Sequence, residues 1–183
     1  MDLPLLWETK KLPFTATLFA YTGGATLAAA AAGAQVTHVD ASKGMVTWAK
    51  ENAVSSGLGD APIRWLVDDC VKFVEREIRR GNTYDAIIMD PPSYGRGPKG
   101  EIWKIEDMIH PLIKLCTKIL SKDALFFLVN SYTTGLAPAV LTYMISTELK
   151  PWNGHVDSQE IGLPVTDSGL VLPCGASGRW ERD

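Results

Sequence analysis

The stretch FAYTGGATLAAAAAGAQVTHVD, from Phe19 to Asp40, decides the fold that this sequence predicts. Its paired glycines indicate a tight turn, and the alanine-rich run after them is typical of a helix that ends at Gly33. The apolar segment QVTHVD then indicates a strand that ends in an acid. Turns between strands and helices hold ligands in α/β proteins, so the stretch predicts a ligand site at Gly23 and Gly24, with Asp40 beside it.

The rest of the chain continues this alternation of strand and helix. Strands are predicted at residues 18–21, 35–40, 63–69, 84–90 and 124–130, and helices at 25–32, 43–56, 71–80, 105–120 and 136–149. Two final strands, 158–166 and 169–175, flank a hairpin signal. The pattern predicts an α/β fold, with a doubly wound, mostly parallel, seven-stranded Rossmann-like sheet that ends in an antiparallel hairpin.

The start of the chain fits this pattern poorly. Residues 1–16 form an irregular segment, and the predicted domain covers residues 17–183. Threonines precede the first strand where a longer apolar run is expected. Either this strand is unusually short, or residues 1–16 are the remnant of a longer region; we favour the second interpretation.

Composition limits the classes of protein to consider. The 183 residues carry a formal net charge of −3, so a nucleic-acid substrate requires a local basic patch or a separate domain. The three widely spaced cysteines support neither a disulfide framework nor a metal site. With neither a signal peptide nor a long apolar run, we expect a cytoplasmic protein without a membrane segment. Composition says nothing about the oligomeric state.

Two ligand classes compete for the glycine turn. A dinucleotide requires the spacing G-x-G-x-x-G, but Gly23 and Gly24 are adjacent and the next glycine is Gly33. S-adenosylmethionine (SAM) has no pyrophosphate and needs a close backbone turn, with an acid for its ribose at the end of the second strand. Asp40 occupies that position. The alternative is a purely structural turn, with Asp40 capping the next helix.

Two further acidic motifs end predicted strands. VDDC ends the third strand, where Asp69, rather than Asp68, is suited to accept a hydrogen bond from an adenine amino group; both acids can instead be helix caps. DPPSYG ends the fourth strand, and its prolines restrict the backbone around Asp90. The Asp90 carboxylate and the Pro91 carbonyl are therefore expected to be fixed acceptors in the cleft.

Five stretches together resemble the class I SAM-dependent methyltransferases, and among them the ribosomal large-subunit RNA methyltransferases: LFAYTGGATLAAAAAGAQVTHVDAS, WAKENA, RWLVDDCVKFV, YDAIIMDPPSYGRG and GEIWKIED. The resemblance covers nearly the whole chain from Leu18. It implies that the methionine part of SAM is lined by Phe19, Tyr21, Thr22, Gly23 and Gly24, the ribose by Asp40, Ala41 and Ser42, and the adenine by Asp69 and Cys70. It also implies that the target is held by the catalytic residues Asp90, Pro91, Ser93 and Tyr94.

The sequence departs from this family in two ways. Such enzymes usually carry an N-terminal RNA-binding domain and a segment that folds over SAM, and neither is recognisable here. Members that methylate carbon-5 of cytosine have a cysteine after the fifth strand, where this sequence has Asn130 and Ser131. Cys174 is expected on a strand that runs away from the cleft. We therefore expect methylation of a nitrogen in ribosomal RNA, without a metal.

Other readings remain open. The acidic charge favours a small-molecule or protein methyltransferase, and the missing lid favours a non-catalytic remnant that binds SAM or RNA. Trp103 is expected to pack or to stack on a base, and His38 to be a core residue. Three cations near Asp90 are expected either to contact phosphate or to be merely solvated: Arg96, Lys99 and Lys104.

Overall fold

A computed structural model describes residues 12–96, 100–133 and 135–183 as one α/β domain. The strands are β1 (Phe14–Leu18), β2 (Gln35–Asp40), β3 (Ile63–Val67), β4 (Ala86–Met89), β5 (Tyr94–Arg96), β6 (Ile102–Lys104), β7 (Phe126–Ser131), β8 (His155–Pro164) and β9 (Val171–Glu181). The helices are α1 (Gly24–Ala31), α2 (Lys43–Ser55), α3 (Cys70–Arg80), α4 (Ile105–Cys116) and α5 (Pro138–Glu148), and a 3-10 turn at Thr117–Ile119 follows α4.

Seven of these strands form the central sheet in the order β3-β2-β1-β4-β7-β9-β8. The first five are parallel, and β9 pairs antiparallel with both β7 and β8. The predicted doubly wound sheet with an antiparallel end is therefore confirmed. The strand order reverses next to β1, so the ends of β1, β2 and β4 border the crevice where such sheets bind ligands.

The first strand begins earlier than predicted. β1 runs over Phe14–Leu18, so a strand at 18–21 is wrong, as is the idea that it is unusually short. Its threonines, Thr15 and Thr17, are buried, and the Thr17 hydroxyl lies 2.7 Å from the Thr26 hydroxyl. Polar side chains at core positions concealed this strand from a search for apolar runs. Of the irregular segment 1–16, residues 1–11 lie outside the described residues.

The last strand also differs from its prediction. β9 continues to Glu181, and its second half, not the predicted 169–175, pairs with β7. Trp180 is fully buried there, and Gly178 packs so closely against α5 that an added Cβ would collide with Leu141 and Ile145. The first half of β9 extends with β8 beyond the sheet as a two-stranded hairpin.

A small second sheet was not predicted. β5 and β6 form an antiparallel pair directly after the DPPS motif, within the segment expected to be a loop. The main core lies between the sheet and helices α3, α4 and α5, where Phe73, Ile87, Ile113, Phe127 and Ile145 are fully buried. These helices therefore fix the positions of the strand ends at which the acidic motifs lie.

Candidate functional site

The turn between β1 and α1 has an unusual backbone. Phe19 and Tyr21 adopt left-handed conformations, with φ of 53° and 48°, although neither is glycine. The Tyr21 N–H donates to Asp40 Oδ2 at 2.9 Å, and the Phe19 N–H donates to the Cys70 thiol sulfur at 3.3 Å. Side chains at the end of β2 and at the start of α3 therefore hold this turn in shape.

Two glycines complete the turn for different reasons. Gly23 has φ of 90° and faces Ala49 of α2, where an added Cβ would lie 3.1 Å from the alanine Cβ. Gly24 begins α1 and has open space around it. No side chain caps this helix, so its first N–H groups point toward the crevice without a side-chain acceptor. This terminus is suited to an anionic group such as the carboxylate of an amino acid.

Asp40 lies at the end of β2 and connects the turn to the next helix. Its Oδ1 accepts from the Ser42 N–H at 2.8 Å, and Ser42 in turn caps α2 by accepting from Met45 N–H at 3.3 Å. Each carboxylate oxygen thus has one backbone donor and retains accepting capacity. Asp40 is partly exposed, and the adjacent Ala41 is exposed. This geometry can accept hydrogen bonds from a pair of ribose hydroxyls.

The two acids after β3 have different roles. Asp68 forms an ion pair with Arg76. Asp69 is the N-cap of α3, with Oδ1 accepting from Lys72 N–H at 2.9 Å and Oδ2 without a hydrogen bond among the described residues. The Cys70 thiol is buried, and this burial strongly raises its pKa. Asp69 is thus both a helix cap and a potential ligand contact.

Asp90 and the residues after it form a rigid loop at the end of β4. The Trp103 indole N–H donates to the Pro92 carbonyl at 2.6 Å, and the Trp103 ring packs on Phe19 with ring centroids 5.3 Å apart. The indole therefore connects the glycine turn to the DPPS loop. Trp103 therefore packs within the protein, which is one of the two roles expected from the sequence. No base-stacking role is assigned to it.

The loop is also fixed to the segment after β7. Ser93 Oγ lies 2.7 Å from Thr133 Oγ1. Tyr94 is exposed, and its hydroxyl accepts from Arg96 Nε at 2.8 Å. Lys104 is exposed nearby, and Lys99 lies outside the described residues. The predicted target-binding residues therefore come together at one edge of the sheet.

The Asp90 side chain differs from the other acids of the crevice. Its carboxylate has no hydrogen-bond partner within the described parts of the chain, whereas its backbone N–H donates to Leu18 O at 3.3 Å. Asp90 is exposed, but the surrounding protein removes part of the hydration of its carboxylate, and this desolvation raises its pKa above the ordinary aspartate value. An acceptor without a protein partner in such a place is a candidate ligand-binding group.

The sequence analysis missed a buried polar network below the turn. Thr26 Oγ1 lies 2.9 Å from His38 Nδ1 and 2.7 Å from Thr17 Oγ1, and all three side chains are buried. Burial lowers the pKa of His38 to about 4, although the negative charge of Asp40 acts in the opposite direction. His38 is therefore neutral near pH 7 and, as expected, a core residue. The sequence spacing of these three residues contains no signal that they meet.

The placement expected for Cys174 is wrong. β9 runs antiparallel to β7, and Ser131 at the end of β7 pairs with Ala176. Cys174 precedes Ala176 and so lies beyond the carboxyl end of β7, on the side toward which the crevice opens. The direction of β9 was correct, but the cysteine lies near its start because this strand extends to Glu181.

Two general features constrain the chemistry. Over the described ranges, no three His, Cys, Asp or Glu side chains are grouped so that they can hold a metal ion. None of the helices in the same ranges combines the length and apolar character needed to cross a bilayer.

The open helix terminus, the paired Asp40 oxygens and the free Asp69 oxygen match the charge pattern of an amino acid joined to a nucleoside, which is the pattern of SAM.

Comparison with known proteins identifies the family. The model of the S-adenosylmethionine-dependent methyltransferases matches residues 11–145. Ribosomal RNA large subunit methyltransferase K/L of Shewanella frigidimarina is 36% identical over 104 residues, which are 54% of this chain and 14% of the relative. Ribosomal RNA large subunit methyltransferase K of Neisseria meningitidis serogroup B is 31% identical over 116 residues, which are 62% and 33% of the two chains.

A solved structure is also similar. The SAM-dependent methyltransferase from Agrobacterium tumefaciens is 42% identical and superposes with a TM-score of 0.88, over 96% of this chain and 57% of that chain. This chain thus spans only part of the proteins that it matches. Because the family model covers more than half of its residues, this chain belongs to the S-adenosylmethionine-dependent methyltransferase family.

Proposed function

We propose that this chain is the catalytic domain of a cytoplasmic SAM-dependent methyltransferase that methylates a base of ribosomal RNA at a nitrogen. The observation that carries this proposal is the Asp90 carboxylate, which lacks a partner among the described residues at the end of β4. The family relationship and the names of the relatives support the reaction and the substrate class.

One half of the crevice is assigned to the cofactor. When bound, SAM supplies a methyl group on a positively charged sulfur, which is ready for displacement. The glycine turn and the open start of α1 bind the methionine part, Asp40 binds the ribose hydroxyls, and Asp69 with the Cys70 backbone binds the adenine. Phe19, Tyr21 and Thr22 shape the turn, and Ala41 and Ser42 border the ribose.

The other half of the crevice is assigned to the target base. Asp90 and the Pro91 carbonyl accept hydrogen bonds from an amino group or ring N–H of the base, and they orient a nitrogen lone pair toward the methyl carbon. Ser93 and Tyr94 flank this position. Methyl transfer by in-line displacement needs such orientation more than it needs an acid or a metal. A base within a helix must leave its stack to reach this site.

Two considerations favour a nitrogen over carbon-5 of cytosine. Carbon-5 becomes nucleophilic only after a thiolate adds to the ring, and the buried thiols Cys70 and Cys116 both have strongly raised pKa values because of desolvation. Asn130 and Ser131 end β7, where the resemblance places the cysteine of the cytosine carbon-5 enzymes. Cys174 is partly exposed and lies beyond the end of β7, on the side toward which the crevice opens, so it is the thiol that the position of methylation has to be tested against.

A radiolabelling experiment tests the reaction and the substrate class. Tritiated SAM is incubated with the chain and, in separate samples, with ribosomal RNA, free nucleosides or a protein extract. Label in RNA, traced after digestion to an N-methylated nucleoside, is the expected result. Label only in small molecules or protein supports the alternative that the net charge of −3 favours. No incorporation with SAM still bound identifies a non-catalytic remnant.

A trapping experiment tests the position of methylation. RNA that contains 5-fluorocytosine retains a thiolate adduct if the enzyme attacks the ring. We expect no denaturation-resistant protein–RNA band. A band that disappears in Cys174→Ser and persists in Cys116→Ser would identify Cys174 as the nucleophile and exclude the nitrogen proposal.

A further inference from the structure

A second cavity opens beyond the end of β7. Its volume is about 410 Å³, within the range of roughly 300–1,000 Å³ that is typical of small-ligand sites. One wall follows β7 and leads into α5, and the opposite wall is the start of β9 with Glu160 of β8. The described residues that line it are Tyr132, Thr133, Gly135, Leu136, Ala137, Pro138, Glu160, Pro173, Cys174, Gly175 and Ala176.

This cavity adjoins the Asp90 loop but is separate from it. Thr133 lines the cavity, and its hydroxyl contacts Ser93 at 2.7 Å. Asp90 is not among the described residues that line the cavity. A flat group in the cavity therefore lies next to the target position and does not occupy it.

The close approach of two backbones gives the cavity a fixed floor. Gly175 has φ of 134°, and an added Cβ there would collide with the Ser131 carbonyl and the Tyr132 backbone. Only glycine allows β9 to cross so near the end of β7. The cavity is thus part of the folded hairpin and does not depend on a ligand for its shape.

The lining specifies a ligand chemistry. Tyr132 exposes 55% of its surface and offers an aromatic face, while Leu136 and Pro173 add apolar surface. Glu160 is the charged residue of the lining, and within the described ranges it has neither a hydrogen bond nor an ion pair. A carboxylate repels phosphate and accepts hydrogen bonds from amino groups. Aromatic stacking combined with such an acceptor is a common way of binding an unpaired base.

We propose that this cavity binds an unpaired nucleobase with an exocyclic amino group, next to the target nucleotide of the RNA. The proposal rests on the proposed function, since it requires an RNA substrate. Tyr132 stacks on the base, and Glu160 accepts its amino hydrogens. Adenine, cytosine and guanine carry such a group, whereas uracil does not, so the cavity selects against uracil beside the target.

Cys174 provides a direct probe of occupancy. The sequence contains three cysteines, of which Cys70 and Cys116 are buried and only Cys174 is partly exposed, on the wall of the cavity. A thiol-alkylating reagent therefore modifies Cys174 in the folded protein far faster than the other two. A base in the cavity shields this thiol, and the cofactor in its own half of the crevice does not.

The experiment measures the rate of Cys174 alkylation in the presence of poly(A), poly(C), poly(U) or SAM alone. We expect poly(A) and poly(C) to slow alkylation several-fold, poly(U) to slow it less, and SAM to leave it unchanged. Glu160→Gln should remove the preference over poly(U). Tyr132→Ala should remove protection and raise KM for ribosomal RNA, with kcat and SAM affinity unchanged, and Tyr132→Phe should restore both.

A matched control separates stacking from general surface effects. Tyr143 on α5 is 72% exposed and does not line the cavity, so Tyr143→Ala should behave as the wild type. Methylation of RNA without protection of Cys174, or with an unchanged KM in Tyr132→Ala, would overturn the cavity proposal and leave the proposed function intact. Protection of Cys174 without methylation of RNA would support the cavity proposal and overturn the proposed function. Absence of both protection and methylation would exclude both proposals.

Discussion

The two ends of the central sheet each carry acids, and Glu77 and Asp90 show how differently these acids are placed. At the amino ends of the strands, Glu77 is fully buried and accepts hydrogen bonds from Arg80, Asn82 and Tyr84, at 2.8 to 2.9 Å. At the carboxyl ends, Asp90 has no partner within the described ranges, and Asp69 has one unused oxygen. Glu77 lines a cavity of about 360 Å³, and the cavity beyond β7 lies at the carboxyl ends.

The pKa directions express the same difference. Burial opposes the ionisation of Glu77, but the hydrogen bonds from Asn82, Tyr84 and Arg80 and the charge of Arg64 outweigh it, so that its pKa is lowered. Desolvation raises the pKa of Asp90, and no group in the described ranges compensates for it. A buried acid with all its partners stabilises the fold, whereas an acid without such partners can accept hydrogen bonds from a ligand. The shape of a cavity alone does not distinguish the two.

The largest effect is expected for Asp90→Asn. Because the amide carries no negative charge and has one acceptor oxygen where the carboxylate has two, the single-turnover rate of methyl transfer should fall by about 100-fold or more, as for other groups that act in the transition state. SAM affinity should change by only a few-fold. Rapid-quench measurements with saturating SAM test this, with the exposed Asp60→Asn as the control. An equal loss of rate and SAM affinity would place Asp90 in the cofactor site.

A substitution of Glu77, at the opposite end of the sheet, should change the free energy of unfolding but not the binding of SAM. Glu77→Ala leaves the Tyr84 hydroxyl and the Asn82 amide without their acceptor, and it should lower the free energy of unfolding by about 2 to 3 kcal/mol. The SAM dissociation constant of the folded variant should equal that of the wild type. Urea unfolding and calorimetry measure the two quantities. Weaker SAM binding would show that the two ends are coupled.

Asp40→Ala should have an intermediate effect on binding. It removes acceptors for the ribose and for the Tyr21 and Ser42 N–H groups, so SAM affinity should fall by about 1 to 3 kcal/mol. Asp40→Asn retains one acceptor oxygen and should lose less. Isothermal titration with SAM checks this ranking, and NAD should bind neither variant. Unchanged affinity in a folded Asp40→Ala protein would contradict the ribose assignment.

The last of the four effects appears only at acidic pH and concerns His38, which lies between the two regions. Its pKa of about 4 in the folded state is below the ordinary value near 6.5, so the unfolded chain takes up the proton first as the pH falls. The contribution of neutral His38 to the free energy of unfolding is fully present above pH 6.5 and decreases as the pH falls toward 4. Between pH 7 and 5 the wild type should lose about 2 kcal/mol more than His38→Gln. Parallel unfolding curves of the two proteins would contradict this.

The order of the elements could be predicted because their apolar periodicity is local. The strands 35–40 and Ile63–Val67 and the helices around them were found within a few residues. The β5–β6 pair could not, because its strands, YGR and IWK, have only three residues each and are too short to show an apolar periodicity. The second half of β9, ASGRWE, lacks the β-branched residues typical of strands and is defined by its pairing with β7.

The candidate site was predictable to a similar degree. Acids at the ends of apolar runs carry their own signal, and prolines also follow Asp90, so Asp40, Asp69 and Asp90 could be selected from the sequence. Their partners could not, since the contacts of Ser93 with Thr133 and of Thr26 with His38 join separate elements. The prediction of where Cys174 lies was wrong for a related reason. Its position depends on where β9 ends and not on any residue near the cysteine.

The left-handed residues of the glycine turn affect how tightly any ligand can be bound. Phe19 and Tyr21 each hold a conformation that costs an L-residue roughly 1–2 kcal/mol, and hydrogen bonds to Cys70 and Asp40 maintain it without a ligand. The glycine turn is therefore ordered when the chain folds, and no further conformational entropy of the turn is lost when a ligand binds. Replacing Tyr21 with glycine would relax the folded chain and make the turn mobile, so the variant would gain stability while its ligand dissociated faster.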